Sequence, residues 1–521
     1  MELHKLYIHK KIKNPYEDGL KIGTEIKRKI GNPSLIIFIT SLLDDEEKLK
    51  TVFEGMKKSI SLEGLIGCST GGTFVGNKYI KKDGVLILAF DRRFKYATAY
   101  KKIEESAEKT GKTIATEIKN TLREKYLSSL DVEDKFLGFV FYNWNENHEQ
   151  EILDVLGREL SIPIVGGTAA DDGSFDKFFQ IYKGEIIRDG CVFGVIGGKL
   201  KFDLIYGHGY EPTDIYARVT KAEGRVVYEL DGKPAYQRYL EMISEYIKLP
   251  KHIVEKYLGI NKKERLKHIN FYFVHPLGFM DINGNVITTF LEDVDGNRLI
   301  FRRKIPEGTF LILMRTNLVA QIKALSDKIR IIEEDYKNPL IFINECYGIE
   351  ILKNPLYRKF EESPFPYFLE FYEDSKKIEE YIVRDNCIGW LSYGETISKD
   401  IMRFHNNLSF TGVVFELDEA CINWRAALKN FNFTDEEIEV IVNLIYDEMD
   451  IKELSEVTKI PIEKLEDVLK NLEKRRIIGY INITGKYYID NLKEVLKKID
   501  EELDFEYKIK KAGRERLLRI L

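Results

Sequence analysis

Short apolar runs alternate along the chain with stretches in which apolar residues return every three or four positions. Ser34–Thr40 is a continuous apolar run of strand length, and in Asp44–Ile60 the positions Leu49, Val52, Phe53 and Met56 fall at helical spacing. Leu65–Gly72 reads as a second strand ending in a small-residue loop, and Asp83-Gly84 as a turn into the strand Val85–Phe90. Tyr100–Ser128 carries a long helical pattern, Phe136–Phe141 is a strand, and residues 148–160 are a helix. Phe178–Tyr182 and Cys191–Ile196 are expected to pair around Lys183-Gly184-Glu185, with Leu200–Gly207 continuing the same sheet.

Further on, Ala235–Ile247 has helical spacing and Ile269–His275, Phe310–Arg315, Leu340–Glu345 and Cys387–Ser392 are the strand candidates. Helical pattern covers Thr316–Glu333, and a shorter helical stretch is expected over Ser398–Phe404. This alternation predicts layered α/β or α+β domains rather than helix bundles. Residues 434–490 differ. Thr434-Asp-Glu-Glu437 is an N-cap with an acidic first turn, and helices are expected from Ile438, over Ile451–Thr458, and from Pro461 to about Arg476. A hairpin then turns at Thr484-Gly485. That order, three helices and a wing, resembles a winged helix-turn-helix.

At 521 residues the chain is too long for one core. The expected division is an N-terminal segment 1–29, two layered sheet-and-helix domains over 30–210 and 211–425, a small winged-helix domain over 430–490, and a helical tail over 491–521. The net charge of −5 gives no general nucleic-acid signature. Residues 435–490 hold 14 acidic against 8 basic side chains, a balance of −6, where phosphate contacts need a positive face. Lys470, Lys474, Arg475 and Arg476 at the end of the third helix, with Lys486 on the wing, are the candidate contacts to DNA or to a partner protein. The tail, with Leu and Ile at helical intervals and basic residues over Lys508–Arg519, is a candidate dimer helix or nucleic-acid arm. Five widely spaced cysteines without a CxxC pair predict no zinc site or redox couple, and fit a reducing compartment. No apolar run approaches bilayer length, so a cytoplasmic protein without membrane contact is expected.

The densest chemistry lies in Pro163–Gly173, where an apolar strand runs into Gly166, Gly167, Thr168, two alanines, Asp171 and Asp172. Cys68, Ser69, Thr70, Gly71 and Gly72 form a similar loop. Small residues leave backbone N–H groups open to a carboxylate, and the aspartates suit an ammonium, so the two loops together fit an amino acid. The alternative is that the loops hold strands together and the aspartates bond their own backbone. Tyr393, Glu395, His405 and Asn406 form a second candidate set: an aromatic wall, an acceptor for an amine, and an amide clamp. Glu395 bonding backbone amides is the other reading there. Cys68 has no partner base at any recognisable spacing, so no enzyme is expected.

Several of these segments together resemble the FIST sensory domains, which have an N-terminal and a C-terminal half. The residues are Gly67-Cys-Ser-Thr-Gly71, Asp83-Gly84, Gly166-Gly-Thr-Ala-Ala-Asp-Asp172 and Tyr182, Gly184 and Asp189-Gly190 in the first half. In the second they are His275-Pro-Leu-Gly278, Cys346-Tyr-Gly348, Gly389-Trp-Leu-Ser-Tyr-Gly-Glu395 and His405-Asn406. The resemblance spans roughly 30–415 and departs at Ile349, where a basic residue is expected, and at Asn407, where the family more often has Gln. It implies an intracellular sensor of small molecules such as amino acids, with the terminal module as its output. Haem binding described for some relatives implies an alternative, a noncovalent haem-based gas sensor with His275 and His405 as axial ligands. A ligand-free adaptor is the third reading.

Overall fold

The computed structural model describes residues 7–489, apart from 77, 93, 104–105, 127–133, 144–147, 199, 258–274, 281–283, 285, 317–335, 337–338, 348–385, 400–401, 407–408, 417–432, 445–447, 476 and 483. The architecture is mixed α and β, with four large sheets and a terminal hairpin among the described residues. No described helix is long and apolar enough to cross a membrane.

The first sheet runs in the order Tyr7–Lys11, Gly84–Ala89, Ile36–Thr40, Leu65–Ser69, Gln180–Tyr182, Glu185–Ile187. Ile36–Thr40 and Leu65–Ser69, buried at every position, are its parallel pair, as continuous apolar runs should be. Helices Pro15–Ile30 and Glu46–Lys57 cover one face, with Phe53 set edge-on to Phe38 at 5.2 Å. They touch backbone to backbone at glycines: a Cβ on Gly19 would stand 2.1 Å from the Val52 carbonyl oxygen, and one on Gly55 2.3 Å from that of Tyr16.

The second sheet is ordered Met402–Asn406, Gly394–Lys399, Ile164–Thr168, Lys135–Tyr142, Cys191–Gly198, Lys95–Lys101. Helices Ala107–Tyr126 and Glu149–Leu160 bury Ile114, Ile118, Ile152, Leu153 and Leu156 on it, and its other face shares a core with the first sheet. The third sheet is ordered Lys201–His208, Ser409–Glu416, Leu340–Cys346, Cys387–Ser392, Thr73–Val75, Lys78–Ile80. A fourth, antiparallel sheet includes Tyr210–Glu223 and Phe310–Thr316 and is packed by helix Ala235–Ile247 through Tyr239, Leu240 and Ile243. Strands from widely separated parts of the chain therefore share sheets.

Several expected elements differ. Ser398–Phe404 is not helical: Gly394–Lys399 and Met402–Asn406 form a hairpin pairing Ile397 with Phe404. The apolar spacing there is satisfied by cross-strand contact, and Thr396 and Ile397 favour extended backbone. The pattern over Tyr100–Ser128 divides into the strand Lys95–Lys101 and a helix beginning at Ala107. At Lys183-Gly184 both residues have positive φ, as a tight two-residue hairpin requires, so Gln180–Tyr182 pairs with Glu185–Ile187, and Cys191–Gly198 joins the second sheet instead. Lys201–His208 likewise leaves for the third sheet, paired with Ser409–Glu416. Residues 269–274 and 317–333 lie outside the described residues.

The terminal region has its own core. Helices Asp435–Leu444, Ile451–Thr458 and Ile462–Lys474 bury Ile438, Ile441, Leu454, Leu465, Leu469 and Leu472, and the hairpin Ile478–Ile481/Lys486–Ile489 adds Ile478. Thr434 and Glu437 cap each other reciprocally, and Asp450 with Glu453 repeats the device, each worth about 1 kcal/mol.

Candidate functional site

Parallel strands in this molecule come as three pairs among the described strands: Ile36–Thr40 with Leu65–Ser69, Lys135–Tyr142 with Ile164–Thr168, and Leu340–Cys346 with Cys387–Ser392. The carboxyl ends of all three meet. Thr70 N–H donates to the Thr40 carbonyl (2.9 Å), Ala169 N–H to Tyr142 (3.0 Å), Ala170 N–H to Ser69 (3.1 Å) and Tyr393 N–H to Thr168 (3.2 Å). The Thr70 hydroxyl donates to the Leu391 carbonyl (2.6 Å) and accepts the Gly72 and Leu391 N–H groups at 3.1 Å. The Ser69 hydroxyl accepts the N–H of Phe179 at 2.9 Å. The loops singled out in the sequence thus form one buried knot.

Its glycines serve close approach. Gly166, at φ +144°, would place a Cβ 2.0 Å from the Val140 carbonyl oxygen, and a Cβ on Gly167 would stand 2.2 Å from that of Gly394 and 2.3 Å from Asn344 Nδ2. Asn344 donates that nitrogen to the Gly166 carbonyl at 2.7 Å, tying the third sheet to the second. Over Gly71 lies the ring of Tyr347, 2.3 Å from where a Cβ would be, and the same ring reaches Gly173. Neither Asn344 nor Tyr347 was singled out from the sequence. The available signal was an amide interrupting the apolar run Leu340–Ile343, and an aromatic inside the Cys346-Tyr-Gly348 motif.

Asp171 is wholly buried, and its carboxylate accepts the N–H groups of Gly173 (3.0 Å), Phe175 (3.1 Å), Asp176 (2.9 Å) and Lys177 (2.9 Å), the Ser174 hydroxyl (3.1 Å) and the Tyr393 hydroxyl. Burial works to raise its pKa, but the Tyr393 hydroxyl and the loop amides outweigh it and hold the carboxyl below its usual range. These acceptors are spent on the loop, the bland reading of that residue. Tyr393 stacks on Phe175 at 4.5 Å, and its phenol is pushed up by burial and by the adjacent carboxylate. Asp172 differs: its half-exposed carboxylate accepts Ser174 N–H (3.3 Å) and faces Lys177 Nζ at 3.4 Å, which also pairs with Asp44 at 2.9 Å.

Glu395 is fully buried between the hydroxyls of Ser392 (3.0 Å) and Ser409 (2.8 Å). Burial raises its pKa to about 8 against the pull of those hydroxyls and of Cys346, so it is largely a neutral acid at pH 7. His405 lies between the Thr396 hydroxyl at Nδ1 (2.8 Å) and the Thr168 hydroxyl at Nε2 (3.3 Å), and burial lowers its pKa to about 4. Thr168 also reaches Glu149, whose carboxylate binds Arg302 at 3.0 Å; both charges are buried. Burial raises the Glu149 pKa, while Arg302 and His405 bring it down further.

His275 packs against Tyr246, with Nδ1 3.3 Å from the Met314 carbonyl oxygen. Haem does not fit this donor set as it stands, since both nitrogens of His405 are engaged and an axial bond would displace Thr396 or Thr168. Cys68 is buried beside Gln180 with its thiol pushed up by burial, the reverse of an activated nucleophile. Asn406 pairs with Glu395 across the hairpin; its side chain is outside the described residues.

Compared with known proteins, residues 34–233 match the FIST N domain. The chain is also 63% identical over 520 residues, 99% of its length and 100% of the relative's, to Uncharacterized protein MJ1623 of Methanocaldococcus jannaschii. The two chains belong to one family. An uncharacterized protein of Aquifex aeolicus is 28% identical over 136 residues, 25% of this chain and 50% of that one. The FIST N match includes the Cys68–Gly72 and Gly166–Asp172 loops, whereas Asn344, Tyr347, Tyr393, Glu395 and His405, which complete the knot, follow it in the chain.

In the terminal module two of the five candidate cations, Arg475 and Lys486, are engaged within it, as is the neighbouring Lys464. Arg475 pairs with buried Glu437 (3.0 Å) and lies over Phe433, and Lys464 binds Glu436 (2.6 Å). Lys486 faces Glu453 at 3.5 Å. Lys470 and Lys474 lie exposed on the third helix, and Arg476 is outside the described residues.

Proposed function

We propose that the chain is a sensory protein that binds a small ligand at the mouth of the knot and relays occupancy through its terminal module. The FIST N match supports the sensory class. The observation that carries the reading is the meeting of three parallel strand pairs at their carboxyl ends, the position where α/β sheets characteristically seat ligands. Asp171 builds the loop rather than touching ligand. Asp172 and Lys177, the exposed opposite charges beside it, suit the ammonium and carboxylate of an amino acid or related metabolite, with Tyr347 as the apolar wall. The terminal region reads as a winged helix used for protein docking rather than DNA. Its acidic balance and internally paired Arg475, Lys464 and Lys486 leave little positive surface.

A thermal-shift screen of the twenty amino acids and related metabolites tests the binding. A ligand that raises the melting temperature of the native chain, and loses at least tenfold in affinity in Asp172→Ala and Tyr347→Ala, is expected. No response to any compound, or a response unchanged in both variants, sinks the reading. Gel shifts at physiological salt are expected to show no retardation of genomic fragments.

A further inference from the structure

Behind the knot, where helix Glu149–Leu160 meets the hairpin Gly394–Asn406 and the fourth sheet, arginines converge. Arg303 lies across the ring of Phe279 at 4.8 Å and near that of Phe404 at 5.9 Å, and its Nη1 is buried without a hydrogen-bond partner. Arg403 lies flush on the helix at Gly157, where a Cβ would stand 2.5 Å from its Nε, and that nitrogen too is buried and unpartnered. Arg302, in contrast, is committed to Glu149.

Among the described residues the nearby carboxylate is Asp154, which makes no ion pair with either: its Oδ1 accepts Gln150 Nε2 at 3.0 Å, and Arg303 and Arg403 act on it through space. Lys304 and Glu151 pair with each other at the rim (3.0 Å). His405 is neutral. Among the described residues the junction holds Arg302, Arg303 and Arg403 against Glu149 and Asp154, with the exposed Arg158 also acting on Asp154, an excess of positive charge in a setting walled by aromatic rings. Buried charge of one sign is stable only when something compensates it, and buried donors are normally satisfied by protein, water or an ion.

We propose that this junction binds a small oxyanion, the carboxylate or phosphoryl group of a metabolite, on Arg303 with Arg403 beside it. The planar guanidinium fork matches both groups. The site is independent of the knot ligand.

Melting of the full chain, and calorimetry, with inorganic phosphate and with acetate, each balanced against sodium chloride at one ionic strength, test it. The expected result is a saturable rise in melting temperature with at least one oxyanion and none with chloride. Arg303→Met should weaken that binding at least tenfold while keeping the fold, because a flexible apolar chain of similar reach still packs on Phe279 and Phe404. Lys304→Met and Asp172→Ala should leave it intact. A response to phosphate alone assigns a phosphoryl ligand, and one to acetate a carboxylate. The proposal is overturned if neither oxyanion exceeds chloride, which leaves ordered water as the partner of Arg303. An oxyanion response that persists in Arg303→Met, or that disappears in Asp172→Ala, overturns it equally.

Discussion

Asp171→Ala should open the loop at residues 171–177 without unfolding the sheets beneath it. Four backbone amides and two hydroxyls converge on that one carboxylate. A hydrogen bond to a charged group contributes about 1.5–3 kcal/mol, but these share one acceptor and the amides can turn to water when the loop opens, so the sum is far from additive. With that sharing allowed for, the local loss comes to about 4 kcal/mol, roughly two such bonds at full strength. At about 1.4 kcal/mol per factor of ten, hydrogen exchange at the amides of Phe175, Asp176 and Lys177 should quicken by about three powers of ten. Asp171→Asn should recover part of this, since one oxygen still accepts but the amide nitrogen faces donors. The carboxyl has a lowered folded pKa, so its stabilisation is present above the unfolded value near 3.9 and is lost as pH falls through the folded one. The gap between native chain and Asn variant should therefore close in acid. Exchange in the Ala variant within about threefold of native would refute the assignment of Asp171 as the organiser of the loop.

The Glu395 pKa of about 8 makes the native chain lose stability as pH rises from about 4.5 to 8, at up to about 1.4 kcal/mol per unit, and level off above. Glu395→Gln should match it near pH 5 and exceed it at pH 8 in urea melts; parallel curves would contradict a buried neutral acid. Glu149→Leu should cost about 3–5 kcal/mol by removing the ion-pair partner of buried Arg302, whereas Glu149→Leu with Arg302→Met should restore most of it, read with Arg302→Met alone as a double-mutant cycle. Gly167→Ala, with no room between Gly394 and Asn344, should yield little soluble chain, while Gly224→Asn, at an open turn whose φ of +57° asparagine tolerates better than other side chains, should express normally.

The apolar runs that fix strands Ile36–Thr40, Leu65–Ser69 and Ile164–Thr168 were legible because both of their faces are buried, which erases alternation and leaves a continuous signal. The loops after them were legible as candidate sites through their glycines and carboxylates. What those carboxylates face was not. Asp171 looks like an ammonium acceptor by composition, and only the return of the chain through residues 173–177 shows its oxygens to be occupied. Glu395 and His405 had partners, Ser409 and Thr168, whose proximity depends on which strand lies beside which. The hairpin at Gly394–Asn406 read as helical because one apolar spacing serves both geometries over so short a stretch. Arg302 and Arg303 carried a weaker signal, two adjacent cations following the apolar strand Arg298–Phe301, and no local rule says that such a pair lies inward.

Thr70 meets Leu391 across 321 positions and Asp171 meets Tyr393 across 222. Translation delivers these partners far apart in time. When Ile164–Thr168 leaves the ribosome its outer edge has no neighbour, and it acquires one only when Gly394–Lys399 has been made. Until then the nascent chain exposes a glycine-rich, apolar strand edge of the kind that pairs with whatever strand is near. A fragment ending at the limit of the FIST N match keeps that edge permanently open. Its solubility should depend on adding residues 340–416 from a second chain, so the two halves of this protein are better expressed together than apart.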